Sequence, residues 1–234
     1  MPLALFALIG SVAAPTAVSA NDFVSNWMDT LYVSTFLGGH FLHDIETDTL
    51  DAGTLYSDET YEQETGFAAR FAIGGRLNEH FRAEVELGFN RTNQGSIEET
   101  LVGATTTSTY NGKGHIDTYT LMTNVWADLP VFDNSWGLTP YIGGGIGAAL
   151  VNSQLVYTNF STFGPQDSSV EVVAQLGTGI NWAFNDRFSA GVGYRLMFIS
   201  GPETSQPTTG QIATYRFDDL LSHSVGITLT MNLN

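Results

Sequence analysis

Charged side chains are scarce in this sequence of 234 residues, and those whose types and spacing could do chemistry form three groups. The first is Arg70, Arg76, Arg82, Glu84 and Glu86, joined further along by Glu171 and Arg195. Mixed cations and carboxylates of this kind form salt-bridged networks, which either plug an enclosed space or select the ions that cross it. The second is an acidic segment, Asp44, Glu46, Asp48, Asp51, Asp58, Glu59, Glu62 and Glu64, with no Lys or Arg among them. Clustered carboxylates of this type could hold Ca²⁺ or Mg²⁺ and bridge to phosphates or to a partner. Their spacing lacks the Asp-x-Asp-x-Asp-Gly order of an EF-hand loop, and a solvated acidic loop is the commoner outcome. The third is Ser222-His223-Ser224, preceded by Asp218 and Asp219. Nucleophile, base and acid are all present there, but a nucleophile needs its base within hydrogen-bond reach. Adjacent residues of a strand point to opposite faces, so His223 and Ser224 cannot pair within one. His40, His43, His80 and His115 show no metal-ligand spacing, and there is no Cys.

The elements that must carry these residues read as β-strands. From Leu221 the chain alternates Leu221, His223, Val225, Ile227, Leu229, Met231, Leu233 with Ser222, Ser224, Gly226, Thr228, Thr230, Asn232. Only a strand sends alternate side chains to opposite faces. The same period marks segments at about 30–42, 65–77, 81–91, 116–129, 138–151, 169–183 and 188–200, making eight strands with the last. In the second and third, Phe67, Phe71, Ile73, Phe81, Val85 and Leu87 share one face, while Arg70, Arg76, Arg82, Glu84 and Glu86 lie on the other. A three-residue turn, Asn78-Glu79-His80, would set Arg76 opposite Arg82, Gly74 opposite Glu84 and Ala72 opposite Glu86. Each arginine then has a glutamate one diagonal step away.

Composition fits strands that face lipid. Charged residues make up 14% of the chain, against about 25% in a typical soluble domain. Beyond the first twenty residues there is no apolar run of the roughly 18 residues that a membrane-spanning helix needs. The connections alternate in length: Asn78-Glu79-His80 and Asn185-Asp186-Arg187 are short, 130–137 is intermediate, and 43–64, 92–115, 152–168 and 201–219 are long and polar. The expected fold is therefore all-β, an eight-stranded antiparallel up-and-down transmembrane β-barrel with short periplasmic turns and four long extracellular loops. A soluble barrel would instead turn its apolar face inward. Trp27, Trp126, Trp136 and Trp182 all fall near the short-turn rim, where an aromatic girdle is expected. Inward glycines, Gly143, Gly145 and Gly147 among them, would widen the lumen. Their spacing is no dinucleotide fingerprint, because no helix follows. An eight-stranded interior is only wide enough for side chains to fill it, which favours a salt-bridge plug over a charged constriction. Residues 1–20, an apolar run from Leu3 to Ile9 followed by small residues ending Ala17-Val18-Ser19-Ala20, read as an export signal without the usual basic start. Residues 21–234 would form the single barrel domain.

The segment Leu138-Thr139-Pro140-Tyr141-Ile142-Gly143-Gly144-Gly145-Ile146-Gly147-Ala148-Ala149, following a turn, resembles the fifth strand of small Gram-negative outer-membrane barrels. These are the opacity-type and OmpA-like (OmpX-like) families, and the resemblance spans the mature chain. The chain departs from them at its end, Met231-Asn232-Leu233-Asn234, where such proteins usually carry an aromatic residue. The resemblance implies an outer-membrane location, a monomer, contact with outer-membrane lipid and lipopolysaccharide, no cofactor and no resident metal. The expected role is structural or surface-interactive, through acidic loops that could meet divalent cations or a surface ligand. Solute or ion passage is the alternative. Lipid A modification is the remote one, since barrels of similar size deacylate lipid A. A formal charge of −16 excludes nucleic acid as a partner.

Overall fold

The computed structural model describes residues 30–51, 54–102, 106–129, 136–157, 166–201, 203–208 and 211–233. Residues 1–20, expected to be the signal, and Trp27 lie outside them. Among the described residues there are twelve strands and no helix. Eight of the strands close a ring: β1 (Leu31–Leu42), β4 (Gly66–Arg76), β5 (Phe81–Leu101), β6 (Ser108–Asp128), β7 (Leu138–Tyr157), β8 (Gln166–Ala183), β9 (Phe188–Ile199) and β12 (Leu220–Asn232). Every neighbour pair is antiparallel, with β12 pairing β1 and β5 pairing β6 to complete the circle. Closure leaves no unpaired edge in the ring, the condition for a sheet to stand in lipid.

Alternation sorts the side chains as the sequence predicts. Leu37, Ile73, Val85, Leu87, Ile146, Leu176, Val192 and Ile227 are half or more exposed on the outer wall. Arg70, Glu84, Glu86, Asn124, Gln175 and Arg195 are buried inside. This is the reverse of a soluble barrel, and an exposed apolar belt of this extent requires a nonpolar surrounding. At one rim Phe67, Phe89 and Tyr119 form a row with centroids 5.5 and 4.9 Å apart. At the other, Trp182 packs edge-on against Phe184, and Trp136 is exposed.

The two short turns share one device. Asn78 Oδ1 accepts hydrogen bonds from the backbone N–H groups of His80 and Phe81, both at 2.8 Å. Asn185 Oδ1 does the same for Arg187 at 2.9 Å and Phe188 at 2.8 Å. An Asn side chain that replaces missing turn bonds explains the common pattern apolar–Asn–acid–base–Phe.

The long connections differ from expectation, because most of their length is strand. Residues 43–64 form β2 (Ile45–Asp51) and β3 (Thr54–Gln63), and 201–219 contribute β10 (Glu203–Thr208) and β11 (Gln211–Phe217). These build a side sheet, β10-β11-β2-β3, attached to the outer end of β5 from Gln94 to Leu101. The physical reason lies in alternation too polar to read as a lipid-facing strand: Ile45 and Thr47, then Ser57, Glu59 and Tyr61, are the buried positions. Outside the membrane a strand needs only one apolar face, and β-branched Thr supplies the other.

Candidate functional site

Two stacked layers fill the interior. The one nearer the short turns is polar and centres on Glu84, from β5. Its carboxylate accepts hydrogen bonds from Trp126 Nε1 at 2.7 Å, Tyr32 Oη at 3.0 Å and Asn124 Nδ2 at 3.3 Å. Glu86, two residues on and therefore on the same face, faces Arg70 Nε at 3.8 Å and accepts from Gln175 Nε2 at 3.0 Å. Gln175 also donates to Asn124 Oδ1 at 2.7 Å, which ties the two carboxylates together through β6 and β8.

The predicted hairpin register holds: Arg76 opposes Arg82, Gly74 opposes Glu84, and Ala72 opposes Glu86. The expected partners hold only for Arg70. Arg82 Nε and Arg76 Nη1 both donate to Asp128, at 3.0 and 2.9 Å. Asp128 is the last residue of β6 and faces inward, on the parity that the sequence shows; its pairing depends on the β5–β6 register, which residues 92–115, expected to be a loop, did not reveal. Glu171 points inward near the far end of β8, where it accepts from Ser200 Oγ at 3.1 Å. Its recorded partner is thus a hydroxyl, well away from the arginines.

Arg195 is held by aromatic faces. Its guanidinium carbon lies 4.0 Å from the Trp126 centroid, 5.7 Å from Tyr141 and 5.9 Å from Phe36. Cation–π attraction strengthens when the cation is desolvated, as here. Its Nε and Nη1 have no hydrogen-bond partner, and the same holds for Arg70 Nε and Nη1. Trp126 corrects the expected girdle: at 1% exposure it is the largest fully buried side chain among the described residues, and it points into the lumen with Asn124 and Asp128. The inward glycines likewise do not widen the lumen. A Cβ on Gly143 would meet the Trp126 ring at 2.6 Å, and one on Gly177 would meet Arg195 Nη1 at 2.6 Å. Trp126 and Arg195 occupy the space at these two, while a Cβ on Gly145 would meet Asn124 Oδ1 and one on Gly147 the Leu121 carbonyl. A cavity of about 90 Å³ remains at the short-turn mouth, lined by Tyr32, Arg76, Arg82, Asp128 and Asn181 among others.

The second layer, towards the long-strand end, is apolar. Ile45, Tyr61 and Ile97 from the side sheet and the outer part of β5 cluster with Ile116, Val151, Val173, Ile199 and Leu220 from the barrel wall. All are nearly or wholly buried. Ile45, Tyr61 and Ile97 fall in segments read as polar loops; the signal that could have found them is the period-2 spacing around each.

The acidic segment is divided by the same alternation. Glu46, Asp48 and Asp58 are exposed, with Asp48 directly opposite Asp58 across the β2–β3 pair. Glu59 is buried on the other face, accepting from Tyr61 Oη at 2.5 Å and Ser57 Oγ at 3.2 Å. Asp44 Oδ1 instead accepts from the Gln63 backbone at 3.2 Å. Asp51 ends β2, opposite Thr54. Among the described residues no group of three or more His, Cys, Asp and Glu is placed to hold a metal ion.

His223 and Ser224 do point to opposite faces. Ser224 Oγ lies inside, 3.0 Å from His40 Nδ1 and 3.3 Å from Arg70 Nη2, a serine–histidine contact that sequence distance concealed. Among the described residues no acid hydrogen-bonds His40, and all three residues are buried in the wall. His223 lies outside, its Nδ1 2.5 Å from Tyr194 Oη and its Nε2 3.0 Å from His43 Nε2.

Residues 4–231 match the family model described as "Outer membrane protein beta-barrel domain". Among solved structures, the outer membrane protein OprG from Pseudomonas aeruginosa is similar at 15% identity, covering 87% of this chain and 96% of that one, with a TM-score of 0.53. Neisserial surface protein A (NspA) is similar at 14% identity over 87% and 97%, with a TM-score of 0.49. The protein AlkL, solved in lipid bilayers, is similar at 13% identity over 96% and 98%, with a TM-score of 0.45. At such identities the likeness concerns the fold alone. No curated protein matches the chain significantly in sequence.

Proposed function

The chain belongs to the outer membrane protein β-barrel family, and from that premise we propose that it is a sealed barrel with a structural and surface-interaction role, exported by its first twenty residues. One observation supports this reading: two layers of buried side chains lie across the interior, a polar network below and an apolar cluster above. The barrel then acts as an anchor, in contact with outer-membrane lipid and lipopolysaccharide along its belt. The working surface is the side sheet beyond the membrane. Its outward face presents Glu46, Asp48 and Asp58 from β2 and β3 and Glu98 from β5, all exposed. Asp48 stands opposite Asp58 on β3 and opposite Arg216 on β11, so carboxylates outnumber cations on this face and favour a cationic partner. The partner class is accordingly a cationic surface or free divalent cations, met by a monomer. We assign no catalytic role, because Ser224 and His40 are enclosed and lack an orienting acid.

Planar-bilayer recording tests the reading. The wild-type protein is expected to give no steady unitary current, and regular openings would overturn the sealed-barrel reading in favour of solute passage. In parallel, protein in neutral-lipid vesicles should bind polylysine in a salt-sensitive manner. Asp48→Asn combined with Asp58→Asn should weaken that binding, and equal binding would remove the acidic sheet from the proposal.

A further inference from the structure

We propose that His43 and His223 form a divalent transition-metal site, suited to Cu²⁺ or Ni²⁺, on the outer wall of the barrel at its extracellular rim. The two residues are 180 positions apart in sequence. The β1–β12 seam brings them together: Phe41 opposes His223, and the backbone N–H of His43 donates to the Leu221 carbonyl at 3.0 Å. His43 therefore sits diagonally to His223 on the same outward face, two positions beyond Phe41. It is exposed, so an ion can reach it from water.

The pair is spaced closely enough to share one ion. At metal–nitrogen distances of about 2.0–2.1 Å, ligands at a right angle stand about 2.9 Å apart and ligands at the tetrahedral angle about 3.4 Å. The two Nε2 atoms are 3.0 Å apart, with the rings inclined at 46°. That is a hydrogen-bond spacing, within about half an ångström of what two ligands of one ion need, and Cu²⁺ and Ni²⁺ are the first-row divalent ions that imidazole sites hold most tightly. Without metal, one Nε2–H donates to the other Nε2. Binding requires both lone pairs, so the ring proton moves to Nδ1 of His43, and the His43 ring turns about its soft χ2 torsion.

Tyr194 supplies the outer support. Its hydroxyl meets Nδ1 of His223 at 2.5 Å from the neighbouring strand β9. When Nδ1–H donates to that oxygen, Nε2 is left as the free ligand and the ring orientation is fixed. The acidity of the whole chain, formally −16, raises the local concentration of cations around the rim. Solvent completes the remaining coordination positions.

The experiment is titration of the refolded full chain in detergent with CuSO₄, read by calorimetry and by electron paramagnetic resonance. The expected result is one equivalent bound, with hyperfine structure from two nitrogens. His43→Gln and His223→Gln should each remove that signature and weaken binding at least tenfold, while heat-modifiable migration confirms that both variants fold. Tyr194→Phe should weaken binding about 10–100-fold, as loss of an outer-shell partner does. His115→Gln, on the far side of the ring, should change nothing. Failure of the wild type to bind, or retention of full affinity in either His43→Gln or His223→Gln, would overturn the site; full affinity in Tyr194→Phe would overturn the orienting role.

Discussion

The two halves of the interior do the same job with opposite chemistry. The half nearer the periplasmic turns is closed by Arg70, Arg82, Arg195, Glu84, Glu86 and Asp128. The half nearer the cell surface is closed by Ile45, Tyr61, Ile97, Ile116, Val151 and Ile199. A soluble protein would use the second solution throughout, since a buried charge costs more than a buried methyl group. Within the membrane the wall's outer face is already apolar. Polar lining makes the two faces of each strand unlike, which fixes which face turns inward. Beyond the membrane that constraint lapses, and the side sheet folds its apolar face onto the barrel's end.

The difference predicts unequal sensitivity to mutation. Glu86→Ala should have the largest effect, because it strands the Arg70 guanidinium, whose side chain is 1% exposed. Breaking a buried pair in this way costs about 3–5 kcal/mol. Urea unfolding in micelles should register that as a global loss, and a loss below about 1 kcal/mol would mean that the polar half tolerates free charge. Ile97→Ala comes next, at about 2 kcal/mol, the low end for an isoleucine truncation. Its effect should stay local: amide exchange of β2 and β3 should accelerate while the barrel's unfolding midpoint holds. Equal shifts in both would show that the halves unfold as one unit and dissolve the contrast. Arg76→Ala should matter least, below about 1 kcal/mol, since exposed ion pairs contribute little. Arg76 is 47% exposed, and Arg82 still holds Asp128. A larger loss by the same urea assay would place Arg76 within the buried network.

Much of the barrel was legible because its signals are local. The register from Arg76–Arg82 to Ala72–Glu86 follows from a three-residue turn and the period of two. Asn78 and Asn185 mark the turns that they build. The inward parity of Trp126 was equally present, beside Asn124 and Asp128, but a count of tryptophans near one rim obscured it. The side sheet was hidden because Thr, Ser and acid residues at alternate positions read as loop when lipid-facing strands set the standard. The links from Arg82 and Arg76 to Asp128 needed the β5–β6 register, and with 92–115 read as a loop the sequence did not supply it.

Sequence alone determined the class of protein, the positions of the eight ring strands where they cross the membrane, which face of each is apolar and which charges face inward. All of these follow from the alternation of neighbouring side chains, a property of a few residues at a time. Tertiary structure decided who meets whom. Ring closure through β1 and β12 placed His40 against Ser224 on the inside and His43 against His223 on the outside. It also decided that the lumen ends beneath an apolar cluster. The physical reason is that contacts across a seam or a lumen depend on the stagger of the closed ring, a sum over all eight strands that no single segment encodes.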